Sequence, residues 1–135
     1  MTFDHIGLFV PDLEAGRAEL AGALGILEFT EEVTDPSLKA RIQFGAGHSG
    51  IRYELVAPFG DDNPVSGCLA AGKNILNHVG YKVRDLTAGM EALRRQGAIP
   101  LGPPKPAVAF RGARVVFFMT RLRFVIEIIE EEAGL

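Results

Sequence analysis

Two histidines and two glutamates recur in this chain at one spacing: His5 to Glu54 is 49 residues, and His78 to Glu127 is 49 again. Imidazole nitrogens and carboxylate oxygens are donors to divalent metals. Two of each suit Zn, Co, Ni, Mn or Fe(II) without choosing among them. The two carboxylates offset the ion's charge, and four protein ligands leave open positions if it is five- or six-coordinate. Each residue also has a plainer reading, the glutamates on solvated outer faces of strands and the histidines hydrogen-bonded in a core. Glu127 stands out, because in the run Val125-Ile126-Glu127-Ile128-Ile129 a carboxylate is either exposed or buried with a partner.

The spacing belongs to a repeat. Residues 3–20 set against 76–93, an offset of 73, keep His5/His78, Gly7/Gly80, Val10/Val83, Asp12/Asp85, Leu13/Leu86, Ala15/Ala88, Gly16/Gly89 and Leu20/Leu93. The same offset carries Glu54-Leu55-Val56 onto Glu127-Ile128-Ile129. Two copies related by a pseudo-twofold bring equivalent positions together around its axis, so the four candidate ligands are expected to converge on one metal.

The elements that must hold them follow from pattern and caps. Residues 3–10 read as a strand, Asp12 caps a helix to about Leu24, and Gly25 closes it. Strand-like runs cover 26–33, 39–44 and 51–56, with a Gly-rich hairpin turn at 45–50. In the copy, 76–83 is a strand, Asp85 caps a helix to about Gln96, Gly97 closes it, and strand-like runs cover 98–101, 107–110, 115–119 and 124–129. The Pro-rich stretch 102–106 is a rigid connection that does not suit a central strand, and 65–71 reads as a short helical turn. The expectation is an α+β fold of one domain: two βαβββ modules, about 1–60 and 74–132, joined by a linker at 61–73, with mainly antiparallel sheet.

Composition bounds the rest. The 135 residues are 47% hydrophobic, enough for one buried core, and the net charge of −3 argues against a general nucleic-acid binder. No apolar run approaches the roughly 20 residues that span a bilayer, and Cys68 as the single cysteine rules out an intrachain disulfide, so a reducing cytoplasm is expected. Lys105, Arg111 and Arg114 are candidates to pair with a carboxylate or phosphate of the substrate, the plainer reading being surface residues beside a turn. Glu130-Glu131-Glu132 reads as a solvated tail, His48 as an exposed turn residue, and Cys68 as a small buried hydrophobe.

The segments HIGLFVPDLE, YELVAPFGDDNPV, NHVGYKVRDL and FVIEIIE resemble the vicinal oxygen chelate (glyoxalase/bleomycin resistance/dioxygenase) superfamily over nearly the whole chain. The resemblance implies paired βαβββ modules around one divalent metal, usually in a homodimer, with the ligands at His5, Glu54, His78 and Glu127. Within the superfamily, residues 54–64 and 77–81 are most similar to methylmalonyl-CoA epimerase. That likeness implies metal-assisted proton transfer at a carbon next to a thioester, through an enolate of a small acyl-CoA, with Glu127 as both ligand and base. A second acid/base is expected on the 39–44 strand, which carries no carboxylate, leaving Glu31, Glu32 and Asp35 as candidates to reach in. The alternatives are a glyoxalase I-like lyase, whose Asp-Pro-Asp-Gly turn is replaced here by Thr120-Arg121-Leu122-Arg123, and a metal-free drug-binding protein.

Overall fold

The computed structural model describes residues 1–73 and 75–131, and Glu132 of the expected acidic tail lies outside them. The fold is α+β, as expected, with three α-helices and ten strands among the described residues, in mixed parallel and antiparallel pairing. It divides into two compact units: His5–Asn77, and the residues from His78 onward together with Met1–Asp4. Among the described residues, no helix is long and apolar enough to cross a membrane.

In the first unit, β1 (Thr2–Phe9) supplies its residues from His5 on, followed by α1 (Leu13–Leu24), β2 (Glu28–Phe29), β3 (Val33–Asp35), β4 (Ala40–Ala46), β5 (Arg52–Pro58) and α2 (Pro64–Ala71). β5 runs parallel to β1 and antiparallel to β4, while β2 and β3 both pair with the far edge of β4. The Asp12 carboxylate accepts from the Ala15 amide at 2.7 Å, and Gly25 closes α1 in the left-handed region at φ 68°. Such caps satisfy amides and carbonyls that the helix itself leaves over. Leu13 and Leu20 bury against Ile26, Leu55 and Ala57. Gly16 lets the helix lie close on β5, since a Cβ there would sit 3.0 Å from Leu55 Cδ2.

The run at 26–33 is broken rather than continuous. Thr30 takes over part of the ladder with its side chain, Oγ1 accepting from the Phe44 amide while its carbonyl accepts from Gln43 Nε2. The backbone leaves regular pairing there and resumes as β3. The helical turn expected at 65–71 is an eight-residue helix, because Asn63 caps it and Pro64 fits its first turn.

The second unit repeats the plan with β6 (Leu76–Val83) from His78 on, then α3 (Leu86–Arg95), β7 (Ile99–Pro100), β8 (Lys105–Pro106), β9 (Arg114–Met119) and β10 (Val125–Glu130). β10 is parallel to β6 and antiparallel to β9, and β7 and β8 share the far edge of β9. Asp85 caps α3 through the Ala88 amide at 3.0 Å. Leu86 joins Val83, Ala98, Val116, Phe118 and Ile128 in the core. The run at 107–110 is not a strand. Val108–Phe110 forms a 3₁₀ turn in which the Ala107 carbonyl accepts from Phe110 and Gly112, with Arg111 and Gly112 both at positive φ. Local bonds satisfy this backbone before it reaches a ladder. Pro106 pairs only at the sheet edge, where a missing amide is tolerated.

Candidate metal centre

Strand parity decides which face each side chain takes. On β5, Tyr53, Leu55 and Ala57 pack toward α1, which leaves Arg52, Glu54 and Val56 on the opposite face. Glu54 lies directly across from Phe44 on β4 and from Gly7 on β1, two residues beyond His5. Residues directly opposite share a face, so His5, Phe44 and Glu54 meet, and Gly7 puts no side chain beside the carboxylate. His5 Nε2 is 3.4 Å from Glu54 Oε1, and the Phe44 ring stands edge-on to the imidazole at 5.7 Å. His5 is 0% and Glu54 3% exposed.

The second unit builds the same arrangement by the same parity. Ile126 and Ile128 pack toward α3, turning Glu127 to the other face, opposite Phe117 and Gly80. His78 Nε2 is 3.4 Å from Glu127 Oε1, and the Phe117 ring is edge-on to His78 at 5.3 Å. His78 is 3% and Glu127 2% exposed. Neither glutamate is a solvated outer-face residue.

A buried carboxylate requires a compensating positive charge close by. A separation of 3.4 Å is longer than a well-formed N–H···O bond. It matches two ligands, each about 2.1 Å from one ion, at a roughly tetrahedral angle. The donor set of His5, Glu54, His78 and Glu127, all buried, is therefore one that could hold a metal ion.

The other candidates are placed differently. Arg114 Nε and Nη2 donate to Glu130 Oε2 and Oε1, both at 2.9 Å. This bidentate pair, with its hydrogen bonds as the main cause, raises the guanidinium's pKa and lowers the carboxylate's. By parity Arg114 lies on the α3 face of β9, away from Glu127. Lys105, exposed, pairs across from Val115 and so shares the Glu127 face, and Arg111 is exposed after the 3₁₀ turn. Asp35 accepts from the Ser37 amide and hydroxyl and the Leu38 amide, a turn cap. Glu32 is 3.5 Å from Arg17, which also donates to Gln43 on the helix side of β4, and Glu31 is exposed.

Three features of the site lie outside the metal-ligating residue types. Phe44 and Phe117 obey the offset of 73, a signal present in the sequence but carried by rings rather than by donor atoms. Gly7 and Gly80 belong to the repeat, but only the strand register shows them opposite the carboxylates. The third, Arg52, lies over the Phe44 ring at 4.3 Å and has no counterpart in the copy, where Val125 stands.

Residues 4–117 match the glyoxalase/bleomycin resistance protein/dioxygenase superfamily, and the chain belongs to it. Among its relatives is an ethylmalonyl-CoA/methylmalonyl-CoA epimerase of Cereibacter sphaeroides, 30% identical over 118 residues that cover 84% of each chain. The fold is shared with methylmalonyl-CoA epimerase from Mycobacterium tuberculosis, with a TM-score of 0.77, 22% identity, and 98% and 89% of the two chains covered. It is shared as well with a hypothetical protein of Bacillus halodurans, at a TM-score of 0.82, 20% identity, and 99% and 96% covered.

Proposed function

We propose that this chain is a divalent-metal-dependent epimerase-type enzyme that moves a proton on the carbon next to the carbonyl of a small acyl-CoA. The observation that carries this reading is the pair of buried His–Glu arrangements, each with its donor atoms 3.4 Å apart. The 30% identity to an ethylmalonyl-CoA/methylmalonyl-CoA epimerase supports the substrate class.

His5, Glu54, His78 and Glu127 are the residues that would hold the metal. A divalent ion bound there supplies Lewis-acid polarisation of the thioester carbonyl, which acidifies the neighbouring C–H. Glu127 takes the proton from one face of that carbon, and inversion of the carbon requires a second proton donor that delivers to the opposite face. The strand neighbours of Glu127 on the same face, Val125 and Ile129, are apolar and buried and keep bulk water from competing for the proton. Phe44 and Phe117 hold the imidazole planes, so the nitrogens stay aimed at the carboxylates. Lys105 and Arg111 are assigned to the anionic part of the coenzyme, whereas Arg114 is engaged with Glu130. The homodimer and the cytoplasmic setting expected from the sequence belong to this reading as well; sedimentation of the purified protein tests the first and fractionation of cells the second.

The test is metal content of protein purified without chelator, wild type beside His78→Ala and Glu127→Ala, followed by exchange of the methylmalonyl-CoA α-proton with deuterated water. About one ion per chain in the wild type, lost in both variants, with exchange in the wild type alone, is the expected result. A wild type that takes up no ion after reloading, or that leaves the α-proton in place, overturns the proposal.

A further inference from the structure

We propose that the turn at 120–123 and the end of α3 form a docking surface for an acidic protein that presents the acyl group as a tethered thioester. The inference rests on the enzyme reading above and deepens it, naming the form in which the substrate arrives.

Arg121 and Arg123 sit in this turn, Arg94 and Arg95 end α3, and all four are exposed. A Cβ on Gly97, just past the helix, would meet Arg121 Cδ at 2.7 Å. The turn therefore lies against the end of α3, and the four arginines belong to one surface. Among the described residues none of the four side chains makes an ion pair, while Glu130 is engaged by Arg114 and Glu131 by Arg84. Between the two turn arginines stands Leu122, 84% exposed, followed by the exposed Phe124. Cations around an apolar tip, on a chain of net charge −3, suit an acidic partner with an apolar contact at its centre.

The internal repeat separates this surface from construction of the fold. At the offset of 73, the first unit has Ala21 and Gly22 in place of Arg94 and Arg95, and α1 ends with no basic residue in its last turn. Gly47-His48-Ser49-Gly50 stands where the second unit has Thr120-Arg121-Leu122-Arg123. Both turns close alike: the Gly50 amide donates to the Gly47 carbonyl at 3.2 Å, and the Arg123 amide to the Thr120 carbonyl at 3.0 Å. Gly50 takes φ 80° freely, whereas Arg123 holds φ 69° against the steric cost of its Cβ. A strained arginine and a solvated leucine thus occupy a turn that glycine and serine close equally well. Strain of this kind clusters where a ligand or partner is met.

The surface is joined to the site. Arg123 and Glu127 are four residues apart, at most about 14 Å of extended chain. A thioester reaches an enzyme on a soluble coenzyme or on a flexible arm tethered to a protein. The second route needs a landing surface within the arm's reach of the site. Leu122 distinguishes the two, since recognising a coenzyme's phosphates calls for cations alone, whereas a protein interface has an apolar centre.

The experiment follows α-proton exchange in deuterated water with metal-loaded enzyme and two substrates. One is methylmalonyl-CoA, and the other is methylmalonyl on the phosphopantetheine arm of an acidic acyl carrier protein, whose binding is read by fluorescence anisotropy. The triple variant Arg121→His/Leu122→Ser/Arg123→Gly writes the first unit's turn into the second. The double variant Arg94→Ala/Arg95→Ala removes charge while keeping good helix formers. Each variant is expected to lose roughly ten- to hundredfold in kcat/KM on the carrier-bound substrate, the range of one charge-assisted contact. The CoA thioester stays within about twofold, and added salt weakens carrier binding more in wild type than in either variant. Equal loss on both substrates assigns the arginines to the coenzyme's phosphates and overturns the proposal, as does no loss on either. Retention on phosphatidylglycerol vesicles without carrier binding overturns it in favour of a lipid surface. If wild type exchanges the α-proton of the CoA thioester but does not bind the carrier, the docking surface falls and the enzyme reading stands. If carrier binding follows the arginines while neither thioester exchanges, the docking surface stands and the enzyme reading falls. A wild type that neither binds the carrier nor exchanges the proton overturns both.

Discussion

The two units carry the same histidine, phenylalanine and glutamate at matching distances but surround them differently. Around Glu127 the neighbours on its face are Val125, Ile129 and Phe117, whereas around Glu54 they include Arg52 stacked on Phe44. The helix contact differs too, with Gly16 tight against Leu55 and Gly89 at ordinary contact distance from Ile128. A duplicated scaffold thus holds its donor atoms constant and varies what lies beside them. The His–Phe–Glu geometry is the part that matches between the halves, and the flanking positions are where they differ.

Exchanging the carboxylates one at a time breaks that comparison most strongly. Glu127→Gln is expected to slow α-proton exchange of methylmalonyl-CoA by about 10²–10⁴-fold, the usual contribution of a positioned acid or base. Glu54→Gln, which leaves the proton carrier in place, loses far less. Equal losses in a deuterium-incorporation assay would mean that the two halves share the proton work.

Metal removal should treat the halves alike. With the ion at about 100 times its dissociation constant, binding adds roughly 2.7 kcal/mol to the folded state. A chelator therefore lowers the wild-type melting temperature by several degrees. His5→Ala and His78→Ala should each abolish that chelator-dependent shift, and a shift surviving in either one would remove that histidine from the donor set.

The helix contacts divide the halves by a smaller amount. A Cβ on Gly16 meets Leu55 and Val10 at 3.0–3.1 Å, and one on Gly89 meets Ile128 and Val83 at 3.4–3.5 Å. Gly16→Ala is expected to cost about 1–3 kcal/mol through overpacking. Gly89→Ala should be neutral or gain up to about 1 kcal/mol in helix propensity. Urea unfolding of the two variants checks the sign of each.

The smallest effect belongs to the exposed Arg114–Glu130 pair. Its pairing lowers the Glu130 pKa, so its contribution to stability is present above the ordinary carboxylate range and is lost as pH falls through the folded-state value. Glu130→Gln should melt only slightly below wild type at neutral pH. The gap closes on acidification and in high salt, because exposed pairs are weak and screened.

The parts of this molecule legible in its sequence were those written twice or written locally. Asp12 and Asp85 declare their helices through a single hydrogen bond each, and Gly25 and Gly97 end them for steric reasons that need no tertiary context. The repeat exposed the four candidate ligands, because a carboxylate kept in register inside an apolar run costs too much to be buried there without a partner. What failed to show depended on partners distant in the chain or on a local turn outcompeting a ladder. The break between β2 and β3 exists because Thr30 meets Phe44, and the 107–110 stretch turns because Ala107 finds amides at Phe110 and Gly112. Arg52 looks like any strand-end cation until β4 brings Phe44 under it.

The edge-on phenylalanines have a use in the spectrometer. An aromatic ring 5.7 Å from His5 and another 5.3 Å from His78 shift the imidazole proton resonances by ring current, and only the first ring carries a guanidinium on its face. Each half of the molecule therefore brings its own internal label. Two histidine signals, resolved from each other and from the exposed His48, would report on the two halves separately while a single sample is titrated.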